Sequence, residues 1–72
     1  MRLGAIRSLE FSDASCAVMW EDARDSPRLS RVLPRHMSVK GDLIKDTVRN
    51  IDHRLYPGCV VVVRKNGTVE VL

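Results

Sequence analysis

The chain has 72 residues, with 12 lysines and arginines against 9 aspartates and glutamates, a net charge of +3, and three aromatic side chains, Phe11, Trp20 and Tyr56. That length makes one small domain, residues 1–72, with an aliphatic core, and a hydrophobic content of 44% is too high for a disordered chain. No apolar run is long enough to span a bilayer as a helix, which excludes a membrane protein of that kind.

No long apolar region follows Met1 to Gly4, so a secretory signal is not expected and a cytoplasmic location is the default. The two cysteines, Cys16 and Cys59, lie in apolar runs and read as buried free thiols rather than a disulfide framework. Small size points to a homo-oligomer or to a larger protein partner.

Residues 2–11 read as a strand, with Leu3, Ala5, Leu9 and Phe11 on one parity and Ile6 breaking it. Residues 12–15, Ser-Asp-Ala-Ser, have turn composition. Residues 16–20 read as a second strand that pairs with the first as a hairpin. Cys16, Val18 and Trp20 fall on one of its faces, Ala17 and Met19 on the other. A helix capped by Ser12 and running to about Arg24 is the alternative. Ser26-Pro27 is a helix-start signal, a capping serine before a proline at the first helical position. It predicts a short helix over 27–33, with Leu29, Val32 and Leu33 inward and Pro34 ending it. The rival is a third strand over 29–33, in which case the sheet curls into a small barrel. Residues 35–41 read as a connector, with Gly41 in a turn.

The segment 42–55 has helical period. Leu43, Ile44, Val48, Ile51 and Leu55 form a stripe, Asp42 suits an N-cap, and Arg54 suits the last turn. Tyr56-Pro57-Gly58 stops it. Residues 59–63 are an unbroken, mostly β-branched run, the mark of a strand with apolar side chains on both faces, central or covered by a partner chain. Asn66-Gly67 predicts a type I′ hairpin turn and 68–72 the return strand. The expected fold class is therefore α+β. Two hairpins make a small antiparallel sheet, with one main helix (42–55) and a short one (27–33).

The spacing of Arg24, Arg28, Arg31 and Arg35, by four, three and four, aligns them on one face if the segment is helical, where they meet successive phosphates. The plain alternative is a solvated polar face. A short helix, a connector, a longer helix and a hairpin also have the order of a winged helix-turn-helix. In that arrangement Lys45, Arg49 and Arg54 reach a groove, and Arg64 and Lys65 reach the backbone. Against it stand the long connector and the acidic Asp46 and Asp52; a plain sheet with one helix packed on it is preferred. The candidate nucleic-acid-binding residues are thus Arg24, Arg28, Arg31, Arg35, Arg49, Arg64 and Lys65.

His36, His53, Cys16 and Cys59 lack metal-ligand spacing, so neither metal nor cofactor is expected. Neither cysteine sits beside an activating base in sequence, and catalytic residues are not assigned. The sequence thus points to a non-enzymatic binding module for DNA or RNA. The alternative is a protein-interaction module, an adaptor, inhibitor or assembly subunit, that uses a sheet edge or an apolar sheet face.

Overall fold

The valine run Cys59–Arg64 (β5) is the strand on which the first of two sheets is built, and the computed structural model describes residues 13–72 around it. β1 (Ala14–Trp20) and β6 (Val69–Val71) pair with it antiparallel on either side, giving the order β1-β5-β6. β5 is therefore central, as its two apolar parities require. Cys16, Val18 and Trp20 face Val63, Val61 and Cys59 in register on the core side. Ser15 is an extra residue between the pairs Ala14 with Arg64 and Cys16 with Val63, so β1 starts with a bulge. The strand over 2–11 and its hairpin with 16–20 lie outside the described residues. Ala14 and Ser15 belong to β1 rather than to a turn, and the helical alternative for 12–24 does not occur over its described part.

A 3-10 turn (Ala23–Asp25) leads into α1 (Ser26–Val32), the short helix that Ser26-Pro27 announces. Its start differs by one residue from expectation. Asp25 precedes the helix, and the Ser26 hydroxyl lies 3.4 Å from the Trp20 indole N–H instead of capping an amide. Leu29 is fully buried, and the rival strand over 29–33, with the barrel that depends on it, does not form.

The second sheet is β2 (Met37–Lys40), β3 (Leu43–Asp46) and β4 (Ile51–Arg54), an antiparallel meander in that order. It replaces both the expected connector over 35–41 and the expected helix over 42–55. The physical reason lies in the turns. Gly41 and Asp42 form a two-residue hairpin loop with Gly41 at φ 61°, the first-position geometry of a type II′ turn, so Asp42 caps no helix. Residues 47–50 form the next tip. There the Asp46 carboxylate takes the amides of Val48 and Arg49, both at 2.9 Å, and Asn50 adopts φ 57°. Those contacts give the backbone a turn in place of a helical hydrogen-bond ladder. The apparent stripe is split accordingly: Ile44 and Leu55 are buried, while Val48 is 70% exposed at the tip.

Tyr56, Pro57 and Gly58 make a tight turn, closed by the Cys59 amide on the Tyr56 carbonyl at 3.0 Å, which ends a strand rather than a helix. The last hairpin is present, but its loop has three residues, Lys65, Asn66 and Gly67. The Gly67 amide reaches the Arg64 carbonyl at 3.1 Å, and only Gly67 takes a positive φ, 85°. This is a type I turn with a glycine bulge, not the type I′ turn that Asn66-Gly67 suggests. Beyond β6, the Leu72 and Val60 backbones exchange hydrogen bonds of 2.8 and 3.0 Å.

The sheets share one core. Trp20, Cys59, Val61, Val63 and Val69 from the first sheet meet Met37 and Ile44 from the second, with Leu29 of α1 and Leu55 between them. The class is α+β with strands predominating. Trp20 is a core residue, whereas Tyr56 is half-exposed. Both cysteines are free thiols, Cys59 fully buried and Cys16 partly so. No helix among the described residues is long and apolar enough to cross a membrane.

Candidate nucleic-acid interface

The four spaced arginines do not share one helix. Arg24 lies in the 3-10 turn, Arg28 and Arg31 on α1, and Arg35 beyond its end. Their electrostatic situations differ as much as their positions. Arg24 folds back on Asp22 at 2.9 Å. That guanidinium holds the Asp22 carboxyl below its ordinary range, and Arg24 is raised in return. Arg28 donates to the Met19 carbonyl at 3.0 Å and lies 3.6 Å from Asp25.

Arg64 is mostly buried and bridges two strands, bonding Glu70 on β6 and Asp13 before β1. The hydrogen bond to Glu70, then that to Asp13, raises its pKa. The Lys65 amide adds a bond to the Asp13 carbonyl at 2.8 Å. Arg64 is therefore a structural clasp whose guanidinium is turned to carboxylates. The residues expected on a recognition helix are strand and tip residues, each near a carboxylate: Lys45 with Asp52, Arg49 with Asp46, and Arg54 with Asp42. With 42–55 folded as a hairpin, the winged helix-turn-helix order falls away.

Arg31, Arg35, Lys40 and Lys65 remain without an ion pair among the described residues, whereas Glu21 is the one acidic residue there in that condition. Lys40 sits at the far end of β2, beside the Gly41 turn. Of the other three, Arg35 and Lys65 lie in loops that meet, and Arg31 lies on the helix that leads into the first of them. His36 is the junction. Its carbonyl accepts from the Thr47 amide at 3.0 Å and the Thr47 hydroxyl at 2.9 Å, which ties it to the β3–β4 tip. Its imidazole Cε1 lies 3.7 Å from where a β-carbon on Gly67 would stand, which places it against the β5–β6 tip. Arg35 precedes His36, Arg31 is in the last turn of α1, and Lys65 opens the β5–β6 tip.

Beneath this end lies Asp46, whose side chain is closed to solvent. The Arg49 amide, followed by the Val48 amide, lowers its pKa against the opposing effect of burial. The seven residues singled out from sequence thus separate into two groups. Arg31, Arg35 and Lys65 have no ion pair among the described residues; Arg24, Arg28, Arg49 and Arg64 are held by carboxylates or carbonyls. Sequence reasoning missed His36 as the joint, because no local pattern announces that two hairpin tips converge on one imidazole. No group of three or more His, Cys, Asp or Glu side chains among the described residues is placed to hold a metal.

Comparison with known proteins gives no relative. No protein-family model, no curated protein and no solved structure matches the chain.

Proposed function

We propose that this protein is a small non-enzymatic module that binds nucleic acid through the end of the molecule where α1 and two hairpin tips meet. The observation that carries the reading is the placement of Arg35 and Lys65, without carboxylate partners among the described residues, in two loops that meet at His36, with Arg31 in the last turn of the helix that leads into the first of them. Guanidinium and ammonium groups displayed this way attract phosphate oxygens, and association releases condensed counterions. No base-reading element enters this proposal, so the expected binding is to the backbone and tolerant of sequence.

The test is a fluorescence-anisotropy titration against random duplex and single-stranded DNA and RNA. Three phosphate contacts on duplex DNA predict that affinity falls about 40-fold between roughly 50 and 200 mM salt. Absence of binding to all of these probes at the lower salt rejects the reading.

A second reading, a protein-interaction module, is favoured by a different surface. On the face of the first sheet opposite the core, Met19 of β1, Val60 of β5 and Leu72, just beyond β6, are neighbours in one row. Met19 is 54% and Leu72 45% exposed. An apolar row of this kind suits a protein partner or a second copy of the chain, and such contact responds weakly to salt.

A further inference from the structure

Among the described residues, two buried side-chain polar atoms lack a hydrogen-bond partner, and they belong to neighbouring side chains. They are His36 Nε2 and Asp46 Oδ2. Nε2 stands 3.9 Å from Asp46 Oδ1, too far for a hydrogen bond but within reach after a small ring movement. Asp46 Oδ1 already accepts from the Val48 and Arg49 amides, while Oδ2 has only the Arg49 guanidinium, 3.6 Å away. A buried carboxylate oxygen left without a donor is costly, and so is a ring nitrogen removed from water without a partner.

We propose that His36 and Asp46 form a proton-operated latch that ties the α1–β2 connection to the β3–β4 tip. A neutral imidazole carries one N–H. With that proton on Nδ1, the Nε2 lone pair faces the carboxylate and the two groups repel. Addition of a proton makes Nε2 a donor whichever tautomer was present, and Nε2–H then closes on the Asp46 carboxylate as a charge-assisted hydrogen bond. The covalent change in the protein is one new N–H bond, and the proton comes from hydronium, whose O–H bond breaks as the N–H forms.

The groups around the imidazole are consistent with this assignment. Asp46 is the carboxylate that faces it from β3, and Arg49 approaches the same carboxylate from the tip. Thr47 holds the His36 carbonyl, and the β5–β6 tip brings Gly67 against the ring with Lys65 in the same loop. Arg35 adjoins it in the chain. Closing the latch fixes two backbone segments at once, because the His36 carbonyl and the Asp46 carboxylate both hold amides of the β3–β4 tip. The latch belongs to the fold and does not depend on the nucleic-acid reading, although it lies under the same end.

The experiment is an NMR titration of the free full-length chain between about pH 5 and 8, the range in which histidine changes charge. The His36 ring signals and the backbone amides of Val48, Arg49 and Gly67 are followed together. The expected result is one shared transition, with the tip amides moving at the same midpoint as the ring. In His36→Gln those amides lose the transition, while in His53→Gln they keep it. Asp46→Asn removes the carboxylate yet retains a side-chain oxygen for the tip amides, and there the ring still titrates without moving Val48 and Arg49. Tip amides that stay still while the His36 ring titrates would overturn the latch, as would a transition that survives in His36→Gln. If the latch titrates normally but DNA and RNA do not bind, the functional proposal fails alone.

Discussion

At the scale of single residues, what matters is which charges are already satisfied. Arg24 and Arg35 look equivalent in the sequence, but only Arg24 has a carboxylate folded onto its guanidinium. At the proposed interface Arg35→Ala should remove about one phosphate contact, so that the slope of log affinity against log salt on duplex DNA falls by about 1. Arg24→Ala leaves that slope nearly unchanged. Anisotropy titrations at several salt concentrations read both. Asp46 yields a second expectation. Its folded pKa lies below the ordinary 3.8, chiefly through the Arg49 and Val48 amides. The stability it contributes is therefore fully present above the unfolded value and is lost as pH falls through the folded one. The contribution of the Asp46 carboxylate to the melting temperature should be constant from about pH 7 to 5, apart from any gain when His36 closes on it, and fall below about pH 4. Asp46→Asn should melt lower at neutral pH and show a shallower acid-side decline, which circular dichroism melts at stepped pH would reveal.

At the scale of elements, the turns decide the fold more than the apolar periodicity does. Asn50 ends the β3–β4 tip at φ 57°, a conformation that costs residues other than glycine roughly 1–2 kcal/mol and asparagine less. Asn50→Ala should destabilise by about 1 kcal/mol and Asn50→Gly by much less, as urea denaturation would measure. Leu29 is the buried anchor of α1, and Leu29→Ala should cost about 2–5 kcal/mol in the same assay. Much of the first sheet and the start of α1 could be read from the sequence: the alternation of Cys16, Val18 and Trp20, the two-sided apolar run of β5, and Ser26-Pro27 each carry a local signal that tertiary packing did not override. The second sheet could not be read so easily. Leu43, Ile44, Val48, Ile51 and Leu55 fit a helical stripe, but Val48 and Ile51 are exposed and the stripe has no continuous buried face. The signals that favoured strands were smaller ones, an aspartate and an asparagine bracketing residues 47–49 and a glycine opening the preceding loop. Of the candidate site, the residue types were legible. Which arginines would be neutralised was not, because pairs such as Arg64 with Asp13 join residues far apart in the chain.

At the scale of the whole molecule, the two surfaces that suggest partners differ in chemistry, and so they separate under salt. The proposed basic surface of Arg31, Arg35 and Lys65 would act through phosphate. The opposite face of the first sheet presents Met19, Val60 and Leu72 and acts through removal of apolar area from water. A three-residue row is much smaller than the roughly 800 Å² per partner of a stable interface, so by itself it does not hold an obligate dimer. The expectation is a monomer at low micromolar concentration. Any self-association at higher concentration should be nearly unaffected by salt between about 50 and 200 mM, the range over which duplex DNA affinity should fall about 40-fold. The double variant Met19→Gln with Leu72→Gln should abolish such association and leave DNA binding unchanged, because neither residue lies at the loops around His36. Light scattering across a concentration series and anisotropy on the same samples make the comparison. Loss of DNA binding in that variant, with its fold intact by circular dichroism, would move the nucleic-acid surface to the sheet face and away from the converging loops.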